Sequence, residues 1–258
     1  MNRWLLRSAA LVAVLMLSVT AAYAAGTLNM EWNNCTGEGN GAVNKTFACG
    51  VNTGTNVLVC SFVAPANVAS FNGCEVLVDI ITQTSPLPAW WTMYTMGDGS
   101  ANCRSALSGN VTINGAYTVC QDVWAGNGVG GIAGYANPLV ALPNVGSATN
   151  RATIDFAAAV PGGAEQALTE GTEYFICNIN IGNTKSTGTG NCAGCSDPAC
   201  LSFTRLNVTQ TTNPPGQADF TIATAGVNSL VTWQGAGANC AAVPVKKATW
   251  GAIKSMYR

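Results

Sequence analysis

Eleven cysteines and no histidine limit the chemistry that is open to this 258-residue chain. Without histidine, a Ser-His-Asp triad, a Cys-His pair and a His-ligated metal are all excluded. Twelve carboxylates leave two-carboxylate glycoside hydrolysis open, with Glu75 and Asp79, or Glu170 and Glu173, as pairs that could face a groove. No local motif surrounds either pair. We therefore expect no catalytic residues, and an unrecognised carboxylate-dependent hydrolase is the last of three hypotheses.

The segment from Cys192 to Cys200 begins with Cys-Ala-Gly-Cys, a spacing found in zinc sites and in redox motifs. A second cysteine pair at ligand spacing is missing, and no βαβ pattern surrounds the segment. Residues 98–102 resemble the start of a calcium loop, but Gly109 stands where that loop needs a bidentate acid. We expect disulfides here, with no metal and no cofactor.

The cysteines are expected to form five disulfides and one buried free thiol. Strand alternation places Cys177 on one apolar face with Phe175 and Ile179, which predicts that Cys177 is the free thiol. Sequence alone does not determine connectivity, but nearest pairs would each close a loop of about 15 residues, worth about 3 kcal/mol in the chain-entropy model. These pairs are Cys35 with Cys49, Cys60 with Cys74, and Cys103 with Cys120. The other two disulfides would join Cys192, Cys195, Cys200 and Cys240.

Residues 1–24 have the features of a cleaved signal peptide. Arg3 and Arg7 precede an apolar run over residues 9–17, and Ala22-Tyr23-Ala24 provides a small-x-small cleavage site. No later segment approaches the roughly 20 apolar residues of a spanning helix, so we expect no membrane span. The predicted location is secreted or cell-surface, with the periplasm as the alternative, and residues 25–245 are predicted to form a single domain.

Short strands separated by turns predict an all-β fold. Runs rich in Val, Ile, Thr and aromatic residues alternate with clusters of Gly, Asn and Pro, and helical periodicity is nearly absent. At least seven strands at this spacing favour a two-sheet β-sandwich or jelly roll that is stapled by disulfides. The predicted strands are Asn56–Val63, Glu75–Thr84, Val111–Val119, Ala152–Val160, Glu173–Ile181, Cys200–Gln210 and Ser229–Trp233.

Aromatic side chains provide the candidate binding site. In an extended strand, Trp90 and Trp91 would point to opposite faces, so at least one is expected to leave the core. An exposed Trp beside Tyr94, Trp124 or Tyr135 could stack on a sugar or anchor a protein. The alternative is that neighbouring loops cover both tryptophans.

Residues 246–258 differ in composition from the rest of the chain. This tail has a formal charge of +4, whereas residues 25–245 carry −7. A short helix here would place its aromatic and aliphatic residues on one side, for docking on its own domain, another subunit or an export component. The candidate assembly residues are Lys246, Lys247, Trp250, Ile253, Lys254, Tyr257 and Arg258. The net negative charge of the mature chain argues against nucleic acid as a partner.

Four segments resemble a set of uncharacterised exported bacterial proteins over most of the mature chain. They are 86–91 (PLPAWW), 190–200 (GNCAGCSDPAC), 231–235 (VTWQG) and 249–258 (TWGAIKSMYR). The resemblance implies a bacterial source and no catalytic role. The strand pattern is also loosely similar to that of cohesin-like jelly rolls, a similarity of fold that carries no site residues.

Three functions follow from these patterns. The first is a structural or assembly protein of the cell exterior, such as a filament, surface-layer or matrix subunit, because few charges and many disulfides suit self-association. The second is an extracellular module that binds a glycan or a surface protein through exposed Trp. The third is the hydrolase named above. The expected partner is thus the chain itself, with a glycan or a surface protein as the alternative.

Overall fold

The computed structural model of this chain describes residues 26–94, 102–136, 149–211 and 218–235. These residues form thirteen β-strands and one 3-10 turn, Ala89–Trp91. The strands are β1 Thr27–Trp32, β2 Asn44–Lys45, β3 Thr55–Val63, β4 Val68–Thr82, β5 Leu107–Asn110, β6 Gln121–Asp122, β7 Val129–Ala136, β8 Arg151–Ala159, β9 Gln166–Leu168, β10 Glu173–Gly182, β11 Ala199–Gln210, β12 Phe220–Ile222 and β13 Leu230–Trp233.

The strands form two sheets, and the chain is a two-sheet β-sandwich of the jelly-roll type. The five-stranded sheet has the order β1-β3-β10-β5, with β6 beside β10. The eight-stranded sheet has the order β2-β13-β11-β4-β8-β7, with β12 beside β11 and β9 beside β4. The long strands pair antiparallel with their neighbours. Within the described residues, no helix is both long and apolar enough to cross a membrane.

Alternating side chains build one core between the sheets. On β3, Leu58 and Phe62 point inward and are fully buried, and Val76, Val78 and Ile80 of β4 face them from the other sheet. The buried apolar residues of both sheets form a single connected cluster. The outer face of the eight-stranded sheet has polar side chains on its central strands. Most of the candidate site residues lie either in this core or on this polar outer face.

Six of the seven predicted strands are present, as β3, β4, β8, β10, β11 and β13. The strand predicted at Val111–Val119 is wrong, because this segment forms turns after β5. The side chains of Asn110 and Asn114 accept hydrogen bonds from the backbone N–H groups of Thr112 and Ala116. These local bonds compete with strand pairing and override the β propensity of the Val and Ile residues.

The strand β7 was not predicted, because its sequence is VGGIAGYA and glycine has low β propensity. The structure explains one of these glycines. A Cβ atom on Gly130 would lie 2.3 Å from the side chain of Ala158 and 2.6 Å from the carbonyl oxygen of Ala157. Only glycine therefore allows β7 to lie this close to β8. The strand β1, which was also not predicted, pairs with β3 at the other side of the sandwich.

Candidate functional site

The aromatic residues that were predicted to bind a ligand are mostly in the core. Trp90, Trp91 and Trp124 are fully buried, Tyr135 is 6% exposed, and Tyr94 is partly buried. The expectation that Trp90 or Trp91 leaves the core is wrong, because both lie in the 3-10 turn and not in an extended strand. Alternation between opposite faces therefore does not apply to them. An exposed aromatic platform is absent from these five positions.

Trp90 and Trp91 belong to an aromatic cluster at one end of the sandwich, centred on Trp233. The Trp233 ring centroid lies 4.1 Å from that of Phe47, 4.4 Å from that of Trp90 and 5.4 Å from that of Trp91. Trp32 lies 6.0 Å away. These five residues, Trp32, Phe47, Trp90, Trp91 and Trp233, are called the aromatic cluster below. Trp124 lies apart from it, against Phe71.

Hydrogen bonds fix three of the four indole groups of the aromatic cluster, whereas the buried Trp91 Nε1 has no partner among the described residues. Trp233 Nε1 donates to the carbonyl oxygen of Cys195 at 2.6 Å, and Trp90 Nε1 donates to Ser186 Oγ at 2.9 Å. Trp32 Nε1 donates to the carbonyl oxygen of Thr232 at 3.0 Å. Buried indoles satisfied in this way have a structural role, since neither their faces nor their N–H groups are free for a ligand.

Arg104 is a buried cation beside the aromatic cluster, and the sequence analysis did not identify it. It is 2% exposed, and its guanidinium lies 3.4 Å from the Trp90 ring centroid. Its Nε donates to the carbonyl oxygen of Trp90, and Nη1 donates to those of Gly182 and Thr184. Burial lowers the pKa of Arg104 to about 9. Arg104 thus ties the 3-10 turn to the end of β10.

The disulfides join distant parts of the chain, and all three predicted nearest pairs are wrong. Cys35 is bonded to Cys120, at a sequence separation of 85 residues. Cys49 is bonded to Cys195 and Cys103 to Cys192, at separations of 146 and 89 residues. Cys200 is also disulfide-bonded, while Cys240 lies outside the described residues. The nearest-pair argument failed because the sandwich brings loops from distant strands together at its ends.

The thiols of the Cys192–Cys200 segment are not available as metal ligands or as a redox pair. Cys192 and Cys195 point to different partners, Cys103 and Cys49, and they do not bond to each other. Within the part of the chain that the structure describes, no group of three or more Cys, Asp or Glu residues could hold a metal ion. The segment connects the loop after β10 to the aromatic cluster.

Three free cysteines lie together in the core. Cys177 is free and buried, as the strand pattern predicted, but Cys60 and Cys74 are free and buried as well. Cys60 and Cys177 are cross-strand neighbours on β3 and β10, and Cys74 approaches from β4. Burial raises the pKa of Cys74 and of Cys177. Thiols with raised pKa values and no solvent access are poor nucleophiles.

The carboxylates that were predicted as pairs do not meet. Glu75 and Asp79 lie on the same face of β4, but four residues along a strand separate them by about 13 Å. This exceeds the spacing of about 5–9.5 Å that glycoside hydrolysis uses. The neighbour of Glu173 is Glu31 and not Glu170, which lies in the turn before β10.

Glu31 and Glu173 are neighbouring carboxylates on β1 and β10. Glu173 accepts hydrogen bonds from Ser61 Oγ at 2.6 Å and from Asn29 Nδ2 at 3.2 Å. Glu31 accepts a hydrogen bond from Asn228 Nδ2 at 2.6 Å, and this bond holds the segment 224–228 that covers the edge of β1. Burial raises the pKa of both carboxyl groups.

The candidate interaction surface is the free edge of β7, the last strand of the eight-stranded sheet. One side of β7 pairs with β8, and the other side makes no backbone hydrogen bond with any described residue. The eight residues include no charged side chain and no proline. Val129 is 73% exposed, and Gly130 and Ala133 are also exposed. Edge strands that lack charges and proline are the ones open to pairing with another chain.

The other edges of the sandwich are covered or short. The edge of β1 is covered because Leu28 N and Met30 N donate to the carbonyl oxygens of Thr224 and Asn228. The strand β2 has only two residues, and β5 has only four. A bulge at Ala133 divides β7, and its second half is anchored by Tyr135 Oη, which donates to the carbonyl oxygen of Trp91. Its first half, Val129–Ile132, is the accessible one.

Two groups of predicted residues lie outside the described ranges. They are the signal peptide, residues 1–24, and the basic tail, residues 246–258, with its assembly candidates. Most of the calcium-like segment, residues 98–101, also lies outside. These predictions stand as they were made from the sequence.

Comparison with known proteins finds similarity at the level of solved structures only. No family model matches the chain, and no curated protein matches its sequence. Among solved structures, it is similar to a type II cohesin domain from the cellulosome of Acetivibrio cellulolyticus, at 11% identity and a TM-score of 0.28. The match covers 81% of this chain and 95% of the cohesin chain. The jelly-roll assignment rests on the strand order of the present chain.

Proposed function

We propose that this chain is an exported, non-enzymatic structural module that associates with copies of itself at the cell exterior through β7. The observation that carries the proposal is the edge of β7 away from β8, which has no charge and no proline and makes no backbone hydrogen bond with a described residue, although β5 packs near Gly131. The disulfides support an oxidising location outside the cytoplasm.

Two copies of β7 are suited to pair antiparallel about a two-fold axis. In such a pair, Val129–Ile132 of one copy lies beside the same segment of the other in the opposite direction, so Val129 faces Ile132 and Gly130 faces Gly131. Like charges at opposite positions would repel, but β7 has none. The main-chain hydrogen bonds of the new strand pair supply the affinity. Gly130 and Gly131 have only a hydrogen atom in place of a side chain, so no side chain shields the backbone there.

Pairing through β7 alone produces a closed dimer, because it consumes the edge on both copies. A filament, layer or matrix would need a second contact on each subunit. The basic tail, residues 246–258, is the candidate for that contact, because its +4 charge is opposite in sign to that of residues 25–245. The assembly would then consist of β7 dimers joined by tails.

The test is the native mass of the full mature chain by light scattering, for the parent protein and for Val129→Lys combined with Ala133→Lys. Both positions are exposed, so the lysines fit the folded monomer. They would bring like charges together across the two-fold axis. We expect a dimer or larger species for the parent and a shift to monomer for the variant, with dissociation at least about tenfold easier.

A matched control is Val227→Lys. Val227 is 90% exposed and lies in the segment that covers β1, so it adds one lysine on the opposite side of the sandwich. It should leave the native mass unchanged, and near-ultraviolet circular dichroism should show that all variants keep the packed core. A monomeric parent protein would refute the proposal. So would assembly that survives the β7 lysines but is lost in Trp250→Ser combined with Tyr257→Ser, since the contact would then lie in the tail.

A further inference from the structure

The outer face of the eight-stranded sheet contains a pocket of about 460 Å³ where β4, β8 and β11 run side by side. Its lining includes Asn72, Gly73, Glu75, Ala159, Asn207 and Thr209. Gly73 and Ala159 line the pocket, and neither has a long side chain that would fill it. The volume lies within the range of about 300–1,000 Å³ that is usual for small-molecule sites.

The polar groups at one wall of the pocket are held in fixed positions. Asn207 Nδ2 donates to Glu75 Oε2, and Thr221 Oγ1 donates to Asn207 Oδ1 at 2.8 Å. Arg205 Nη2 lies 3.7 Å from the same Glu75 oxygen. The other carboxylate oxygen, Glu75 Oε1, accepts no hydrogen bond from a described residue. Glu75 is therefore oriented by its neighbours and retains one free acceptor.

A second acceptor in the pocket is buried without a partner. Asn72 Oδ1 has no solvent exposure of note and no hydrogen bond, although the large majority of buried polar atoms in proteins have one. The backbone carbonyl of Asn72 accepts from Val160 N at 2.9 Å, so the residue is held in place. Because this oxygen is enclosed, the Asn72 side chain would have to turn toward the pocket before a ligand hydroxyl group could reach it.

We propose that this pocket binds a neutral, hydroxyl-rich ligand of one or two sugar units. Glu75 Oε1 can accept a hydrogen bond, and the Thr209 hydroxyl can donate or accept, which suits the hydroxyl groups of a sugar. Glu75 is compensated by Arg205, and Asp155 lies near both, so no single charge dominates the site. The exposed methyl group of Ala159 offers a small apolar contact for the C–H face of a ring. The proposal does not depend on association through β7.

The experiment uses the full mature chain on an array of immobilised neutral and charged oligosaccharides, followed by calorimetry with the soluble form of the best ligand. Glu75→Gln removes the charged acceptor, and Ala159→Phe fills the pocket near Thr209. We expect each to weaken binding at least about tenfold. The matched control Ala116→Phe places the same bulk on an exposed turn elsewhere, and we expect its affinity to stay within about twofold.

Thermal unfolding of each variant shows whether the fold is kept, and Asn72→Leu provides a further variant that removes the side-chain amide of Asn72. Neutral-ligand binding should depend little on ionic strength. The proposal is overturned if no neutral oligosaccharide binds, or if binding survives Ala159→Phe. It is also overturned if binding requires a charged ligand and falls steeply with added salt. Ala159 pairs with Val129 of β7, so the native mass of Ala159→Phe is measured as well. Glu75 lies on β4, which does not pair with β7, so Glu75→Gln separates failure of the pocket from failure of the β7 contact.

Discussion

The aromatic cluster and the β7 edge are two boundaries of the same β-sandwich that differ in how they are held. At the cluster, five aromatic rings and the disulfides of Cys192 and Cys195 hold loops from distant parts of the chain. At β7, one strand pairs on one side only and has neither a cross-link nor a charge. Among the described residues, two disulfides and the aromatic rings therefore hold one end of the sandwich, while β7 has no backbone hydrogen bond on the side away from β8.

The largest effect should come from breaking the aromatic cluster. Trp233→Ala removes the ring that contacts Phe47, Trp90 and Trp91 and the hydrogen bond to Cys195. We expect a loss of about 3–5 kcal/mol in the free energy of unfolding, measured by urea denaturation.

The matched control for Trp233→Ala is a side-chain truncation on β7, the region that is compared with the aromatic cluster. Val129→Ala on β7 truncates a side chain that is 73% exposed, and it should change stability by less than about 0.5 kcal/mol. Comparable losses for Trp233→Ala and Val129→Ala would contradict the contrast between a fastened end and an open edge.

A smaller effect is expected from removing one cross-link. Cys49→Ala combined with Cys195→Ala opens the disulfide with the longest sequence separation, 146 residues, and should cost about 2–5 kcal/mol. Denaturation without reductant measures this cost. The native mass should not change, because β7 lies outside the fastened end; a monomeric double variant would show that the two regions are coupled.

The sequence predicted the fold class and six strands because alternating apolar residues report directly on burial. It did not predict the disulfide partners, since these depend on which loops meet at the ends of two sheets. It left two alternatives open for Trp90 and Trp91, and the structure supports the one in which both are covered, in a 3-10 turn that no local signal indicates. The strand β7 was missed for a related reason. Its glycines serve close packing against Ala158, a contact that exists only in the folded sheet.

The candidate sites were the least predictable part of the molecule. Glu75 was identified as a carboxylate, but its partner Asn207 lies 132 residues away and meets it only through the pairing of β4 with β11. The residues next to Arg104 in the sequence are uncharged, so the sequence did not indicate that Arg104 belongs to a site. Whether a residue belongs to a site depends on the residues that lie near it in the folded protein. In a jelly roll, these residues come from strands that are far apart in the sequence.

The smallest expected effect concerns the covered edge, which sharpens the contrast with β7. Glu31 is bonded to Asn228 of the covering segment, and Glu173 lies next to Glu31; burial raises the pKa of both carboxyl groups in the folded protein. The folded state then binds protons more readily than the unfolded state over the range from the ordinary glutamate pKa up to the raised values. Stability should therefore rise as the pH is lowered from 7 toward 5, which thermal unfolding in matched buffers can measure.

Substitution separates these two carboxyl groups from the rest of the chain. Glu173→Gln keeps an acceptor for Ser61 and Asn29 but cannot titrate, so it should flatten the rise in stability between pH 7 and pH 5. Glu170→Gln, three residues earlier in an exposed turn, should leave the slope as it is in the parent chain. An equal slope in the parent chain and in Glu173→Gln would contradict a raised pKa of this carboxyl group in the folded protein.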